Sequence, residues 1–381
     1  MDKKMTPTCD EQLLALLRYA VGQTDTLPLH PTEEEWQQLY EEACRQSLVG
    51  LLFEGVRRLR SPQAPPLRLL LRWGGDADNI AQLNKVCNIE ATRLTQLFER
   101  EGHATVILKG QANALLYPNP LSRQPGDIDI WVSGGKERVL AMLQRLGMAD
   151  ECSDVGYHHV HLNQRAQGIE VEVHFLASSG HQDKDCSERL QQYLDDRLST
   201  EQPMVAEGFR VPSMPFALTM QLAHIRHHLY KEGIGLRQLT DYWLLLRHST
   251  DAERRDVASR LQELGLLTVA RALMWLIGTL FLERENLLPV SPAKRKGQWM
   301  LRQVLRKGNF GHHDRHRQDV LWRDVLRQKL ELLPLAWFEP EFIGTMVADE
   351  WHYWMTIVRK LPERIRYRSL SLRDHRDAWG E

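Results

Sequence analysis

The sequence predicts an α+β protein, helical for most of its length, with a small sheet-bearing centre between two helical regions. Three observations predict it. Apolar residues recur at helical spacing through residues 10–60 and again from about residue 214 onward. Between these regions lie four short runs, 105–108, 127–132, 157–162 and 169–175, that are β-branched or alternate polar with apolar. Residues 183–208 then read as a polar link. The organisation expected is an N-terminal helical region over 1–84, a core over 85–183 and a C-terminal helical domain over 184–381.

Each element has its own signal. Leu13, Leu14, Leu16 and Leu17 make the first apolar stripe. Thr32 precedes Glu33-Glu34-Glu35, an N-cap followed by acids that complement the helix dipole. Trp36, Leu39, Ala43, Leu48 and Leu51-Leu52 continue the stripe, and the prolines of 61–66 break it. A long helix is expected over about 81–101. Thr105-Val106-Ile107-Leu108 reads as a strand, 112–116 as one or two helical turns stopped by Tyr117-Pro118-Asn119-Pro120, and 136–146 as an amphipathic helix. A polar turn over 163–168 joins the last two strands. Later helices are expected over 214–230, 236–248, 251–263, 266–281, 297–307, 318–333 and 340–360.

Bulk properties narrow the classes. The chain has 381 residues, 43% hydrophobic and 26% charged, with a formal net charge of −1. That charge provides no global field for nucleic acid or a membrane surface. No stretch reaches the roughly 18 apolar residues of a membrane span. No apolar segment follows Met1-Asp2-Lys3-Lys4-Met5, so no signal peptide is expected. Cys9, Cys44, Cys87, Cys152 and Cys186 are scattered and odd in number, which points to free thiols and a cytoplasmic location.

The chemistry concentrates in Gly126-Asp127-Ile128-Asp129-Ile130. On a strand, residues i and i+2 point to one side, so Asp127 and Asp129 share a face while Ile128 and Ile130 point into a core. Glu170-Val171-Glu172-Val173-His174 repeats the pattern and offers a third carboxylate. Clustered acids repel unless cations offset them, and Mg²⁺ favours carboxylate oxygen. Two such ions can stabilise the attacking and leaving oxygens of a phosphoryl or nucleotidyl transfer. Upstream, Lys109-Gly110 closes a strand and opens a helix, where glycine lets phosphate approach backbone N–H groups. Lys109 and Arg123 add positive charge. A D-x-D alone is equally a solvated strand face; the surrounding residues tip the reading towards a site.

The runs Ile107-Leu108-Lys109-Gly110, Leu116-Tyr117-Pro118, Arg123-x-x-Gly126-Asp127-Ile128-Asp129-Ile130 and Val171-Glu172-Val173-His174-Phe175 resemble the uncharacterised bacterial nucleotidyltransferase family. That family belongs to the DNA polymerase β-like nucleotidyltransferase superfamily. Ser47-Leu48-Val49-Gly50-Leu51-Leu52, His224 through Arg237-Gln238-Leu239-Thr240-Asp241, and Gly308-Asn309-Phe310-Gly311 extend the likeness over most of the chain. The resemblance implies a mixed-sheet fold and Mg²⁺, or Mn²⁺ in its place, on Asp127, Asp129 and Glu172. It implies an NTP as substrate, with Lys109, Gly110, Arg123 and Gly126 around the triphosphate and Glu172 placed to help deprotonate the acceptor. One departure stands out. The superfamily's turn is Gly-Ser about ten residues before the first acid, whereas here it is Lys109-Gly110, with Asp127 17 residues after Gly110. The resemblance leaves the acceptor open: protein, RNA or small molecule. It also leaves open a non-catalytic nucleotide-binding or regulatory protein, and a toxin-like enzyme that adds nucleotides to tRNA.

Sixteen histidines invite a metal reading. His159 and His161 share a strand face as in metallohydrolases, but the strand–helix alternations of an amidohydrolase barrel are missing. The favoured reading puts His161 or His174 beside the carboxylates, with a hydrogen-bonded strand histidine as the plain alternative. His224 and His228 are four apart on a helix, but Ile225 stands where a zincin needs Glu. With Arg237 and Asp241 they line a substrate cleft if the resemblance holds, or make an interhelical polar contact. Residues 294–329 carry eleven Lys or Arg against three acids, and 359–376 seven against two. This basic C-terminal third suits RNA or another polyanion, though a solvated helix face is the plainer reading.

Overall fold

The computed structural model describes residues 7–150, 153, 155–162, 168–200, 202–230, 233–283, 287–308 and 337–344, with positions 347, 348, 351 and 355. The expected helix over 318–333, most of that over 340–360, the run after Gly308, Cys152 and the basic residues beyond Lys307 lie outside the described residues.

The chain opens with helices α1 (Cys9–Ala20), α2 (Glu33–Arg45), α3 (Val49–Val56) and α4 (Leu67–Arg100). Thr32 caps α2 as the sequence predicts: it accepts from Glu35 N, and the Glu35 side chain returns to the Thr32 N–H. Then come β1 (Thr105–Ile107), the single turn α5 (Gln111–Ala114), β2 (Ile128–Val132), α6 (Gly135–Arg145), β3 (His159–His161) and β4 (Val171–His174). The helices α7 (Lys184–Leu198), α8 (Met214–Tyr230), α9 (Leu236–His248), α10 (Asp251–Arg260), α11 (Leu267–Leu280) and α12 (Lys294–Lys307) follow.

The sheet is mixed, in the order β1-β2-β4-β3. β2 runs parallel to β4, while β1 and β3 are antiparallel to their neighbours. One face is apolar. Ile107, Ile128, Ile130, Val132, Val160, Val171 and Val173 cluster with Val139, Met142 and Leu143 of α6 and with Leu94 and Phe98 of α4. The second apolar cluster joins α1–α3 to the C-terminal helices, from Leu13 to Phe338. α4 belongs to both: Leu69, Trp73 and Ile80 enter the helical cluster, and Cys87, Ala91, Leu94 and Phe98 the sheet cluster. Such division of a long helix fixes the sheet against the helical body, because each buried Leu or Phe contributes about 1.5–3 kcal/mol.

Two elements differ from expectation. Residues 183–208 contain α7 rather than an unstructured link. Asp183 caps it by accepting from Cys186 N at 2.9 Å, and Cys186, Leu190, Tyr193, Leu194 and Leu198 form its buried stripe. The polar residues between them conceal that stripe in the sequence. α4 begins at Leu67, well before 81, and runs through Gly74-Gly75. Glycine disfavours a helix interior by about 1 kcal/mol, which tertiary packing here outweighs.

Candidate active site

The sheet's second face carries the polar residues. The register pairs Asp129 with Glu172 and Glu172 with His161, and in the next row Trp131 with His174 and His174 with His159. Because side chains alternate, Asp129, Glu172, His174, His159 and His161 all emerge on this face. Asp127 lies one residue before β2 and is half-buried; Gly126 is exposed.

At the centre is Asp129, 2% exposed. Its Oδ1 accepts from Lys109 Nζ at 3.1 Å and from His174 Nε2 at 3.0 Å. Its Oδ2 is buried and makes no hydrogen bond among the described residues, and neither does His174 Nδ1. His174 Nε2 also lies 3.3 Å from Glu172 Oε2. Burial alone would lower the pKa of Lys109, but Asp129, Asp127 and Glu172 outweigh it and raise it, so the ammonium stays charged. Burial likewise opposes charge on His174, and its hydrogen bonds to Asp129 and Glu172 prevail and raise its pKa. Burial would raise the Glu172 carboxyl; His174 and Lys109 instead hold it down at about 2 despite Asp127.

The Lys109-Gly110 turn is built for close approach. Gly110 has φ 56° and ψ −103°, a conformation that side chains resist. A Cβ there would stand 3.5 Å from Asp127 O, so the turn lies against the backbone that leads into β2. Leu108 N donates to Asp129 O at 3.0 Å and ties the two segments. Asn84 of α4 donates to Leu121 O and Arg123 O, at 3.0 and 2.7 Å, and fixes the loop before Gly126.

Arg123 is buried in this loop. It donates bidentately to Asp241, Nε to Oδ1 at 2.9 Å and Nη2 to Oδ2 at 2.8 Å, while Tyr117 OH donates to Asp241 Oδ1 at 2.8 Å. Arg237 Nη1 donates to Gln124 O at 3.0 Å and comes within 3.9 Å of the Cβ position of Gly126. Burial and the neighbouring Arg123 lower the Arg237 pKa to about 10. Arg237 and Asp241 of α9 therefore meet the loop that carries Arg123 and Gly126.

α8 supplies a histidine wall. The His224 and His228 rings lie 4.2 Å apart edge to face, and His227 lies 5.3 Å from His228. Burial, then Lys109, His228 and His227, hold the His224 pKa well below its usual value. His227 contributes likewise to depressing His158, which burial and His174 hold at about 2. The wall thus faces both Lys109 and the strand histidines. His158, His227 and Tyr117 are the neighbours for which no role is assigned from sequence. The His-His pair before β3 was a legible signal for His158; nothing in the sequence announces the Tyr117 hydroxyl's partner.

The donors present fit a divalent cation. Asp129, Glu172 and His174 bring ligand atoms within 4.8 Å of one another, and the free Asp129 Oδ2 is a buried acceptor with no protein donor. Asp127 stands outside that group of ligand atoms, and its charge still acts on Lys109 and Glu172.

Residues 32–282 match the model of the family described as "Uncharacterised nucleotidyltransferase". The chain belongs to this family. The match spans α2 to α11 and so takes in the whole carboxylate site. Among solved structures, the chain is similar to an antigenic nucleotidyltransferase-like protein from Paracoccidioides brasiliensis. The identity is 13%, the TM-score 0.31, and the similarity covers 55% of this chain and 95% of that chain. No curated protein matches. No helix among the described residues is long and apolar enough to cross a membrane.

Proposed function

We propose that this nucleotidyltransferase-family chain transfers an NMP from an NTP to an acceptor hydroxyl with the help of Mg²⁺, or Mn²⁺ in its place. The observation that carries the reading is Asp129, a buried carboxylate whose Oδ2 has no hydrogen-bond partner among the described residues, set beside Glu172 and Lys109. Asp127, Asp129 and Glu172 would hold the cation, which when bound supplies charge neutralisation at the triphosphate. The acceptor oxygen bonds to the α-phosphorus as its hydroxyl proton passes to Glu172 or to water, the bond from that phosphorus to the bridging oxygen breaks, and pyrophosphate leaves.

Lys109 pairs with Asp129 at 3.1 Å and would supply positive charge to the triphosphate. Gly110 lets the phosphates approach the backbone, with Gly126 exposed opposite. Arg123, engaged by Asp241 through two nitrogens, orders the loop, and Arg237 and His224 line the cleft from the helical side. His161, His174 and His228 complete the lining. Glu172, paired with Asp129 across the sheet, would complete the cation site and help to deprotonate the acceptor hydroxyl.

The test is incubation of the full chain with each labelled NTP, Mg²⁺ and cell lysate. Label should move to a specific macromolecule or metabolite, and Asp127→Ala or Asp129→Asn should lower it by on the order of 100-fold or more. Full labelling by folded Asp127→Ala overturns the assignment. Nucleotide binding without Mg²⁺ dependence or turnover points instead to a regulatory protein on this fold. Label in tRNA, with affinity reduced by charge reversal at Arg315 and Arg317, points to the tRNA-modifying reading.

A further inference from the structure

β3 is one of the two edge strands of the sheet and carries a row of imidazoles. His159 Nε2 and His161 Nε2 lie 3.2 Å apart, and His161 Nε2 lies 3.9 Å from Glu172 Oε1. The three ligand atoms of His159, His161 and Glu172 fall within 4.8 Å of one another. Zinc binds imidazole nitrogen at about 2.0–2.1 Å, so neighbouring ligands of a tetrahedral ion stand about 3.3 Å apart. The imidazole pair already has that separation.

Glu172 divides its two oxygens between different partners. Oε2 faces His174, itself bonded to Asp129, while Oε1 faces His161. The carboxylate therefore touches two sets of donors: an oxygen-rich set around Asp129 and a nitrogen-rich set on β3. Support behind the nitrogen set is also present. His159 Nδ1 lies 2.9 Å from His158 Nε2, so a proton on Nδ1 has an acceptor and leaves Nε2 with its lone pair towards His161. The His161 side chain is 40% exposed, which gives an ion a path in and room for water as a fourth ligand.

We propose that His159, His161 and Glu172 bind one borderline-soft divalent cation of the zinc class, beside the oxygen-rich site and joined to it through Glu172. Imidazole selects zinc-class ions over Mg²⁺, so the two sites take different metals from one mixture. His158 is the positioning residue that orients His159. The site does not depend on the chain transferring nucleotides.

The full chain, stripped by chelator, is dialysed against Zn²⁺ or Co²⁺, and bound metal is counted by mass spectrometry. Wild type should hold one Zn²⁺, and Co²⁺ should give the visible absorption of a tetrahedral nitrogen–oxygen site. His159→Ala and His161→Ala should each weaken binding about tenfold or more, and His158→Ala by about tenfold. Asp127→Asn should leave Zn²⁺ binding unchanged. Circular dichroism melts check that each variant folds. On wild-type protein, Zn²⁺ should also protect His159 and His161 from carbethoxylation by diethyl pyrocarbonate, which requires no substitution. No zinc on wild type, equal affinity in folded His159→Ala and His161→Ala, or unprotected histidines in zinc-loaded protein overturns the site. Loss of zinc in Asp127→Asn with retention in the histidine variants assigns the ion to the carboxylates and overturns it too. Zinc bound without any nucleotidyl transfer leaves this site standing and removes only the catalytic reading.

Discussion

Asp241 shows how far a single charge can organise the site's surroundings. It lies 2% exposed between the guanidinium of Arg123 and the hydroxyl of Tyr117, with Arg237 close enough to be depressed by Arg123. Removing it takes the main counter-charge from two buried guanidiniums and leaves Asp127 as the acid that still acts on both. Breaking a buried pair from one side costs about 3–5 kcal/mol. Asp241→Ala should therefore lose about that much in urea unfolding, and double replacement with Arg123→Met should recover part of it. A loss no larger than that of an exposed Asp→Ala control would contradict the buried-pair account. Gly50 acts by being small. A Cβ there would meet Ser122 O at 2.5 Å, too close for backbone to tolerate. Gly50→Ala should cost about 1–3 kcal/mol and displace the loop that carries Arg123. Denaturation midpoints read the first effect, and nucleotide affinity the second; an unchanged midpoint would show that α3 and the loop separate freely. This packing gives a physical reason for the glycine within Ser47-Leu48-Val49-Gly50.

Elements show what the sequence could and could not reveal. Asp129, Glu172, His161 and His174 were legible as a common face because a strand's period of two leaves no other arrangement once the apolar partners are buried. Pairing order was not legible: β2 skips β3 to run parallel with β4, a choice made by the tertiary fold. The histidine wall was legible as one helix face, but its placement over Lys109 depends on how α8 packs, which periodicity does not encode. α4 was legible only from about residue 81, whereas the helix starts at Leu67, directly after the prolines of 61–66, and residues 84 and 85 lie within it. α7 was hidden because its charged face outnumbers its buried stripe. Its start rests on one bond, from Cys186 N to the Asp183 carboxylate. Asp183→Ala should cost about 1 kcal/mol of stability, and Asp183→Asn much less, since asparagine caps nearly as well. Equal losses for the two would show that charge, rather than the capping geometry, holds this end.

At the scale of the whole molecule, α8 and α9 meet the α5 turn and the loop that carries Arg123, beside the sheet's polar face, and histidines occupy that seam. Four of the described histidines resist protonation, among them His159, which burial lowers despite Glu172. Burial, then His174 and His159, hold His158 at about 2. Burial with Lys109 holds His224 well below its usual value, and outside that seam, against Gly265, burial and Arg226 hold His181 at about 3. In the unfolded chain each titrates near about 6.5. Below that pH the unfolded state takes up protons that the folded state refuses, so stability falls as pH falls. The slope per histidine is at most about 1.4 kcal/mol per pH unit, and less for those partly open to solvent. His174 works in the other direction. Its raised pKa contributes stability that is complete below about 6.5 and is lost as pH rises through the folded value, so it adds no acid slope. Glu172, depressed to about 2, contributes above about 4.5 and loses that contribution only as pH falls further. The net expectation is a stability maximum near neutral pH and a loss beginning at about pH 6.5, well before carboxylates titrate. Urea midpoints taken from pH 7.5 to 5 should decline over that window, and His181→Gln should make the decline shallower by removing one excluded proton. A midpoint that stays flat down to pH 5 would mean that the seam accepts these protons without opening, and that the histidines are not locked between the sheet and the helices.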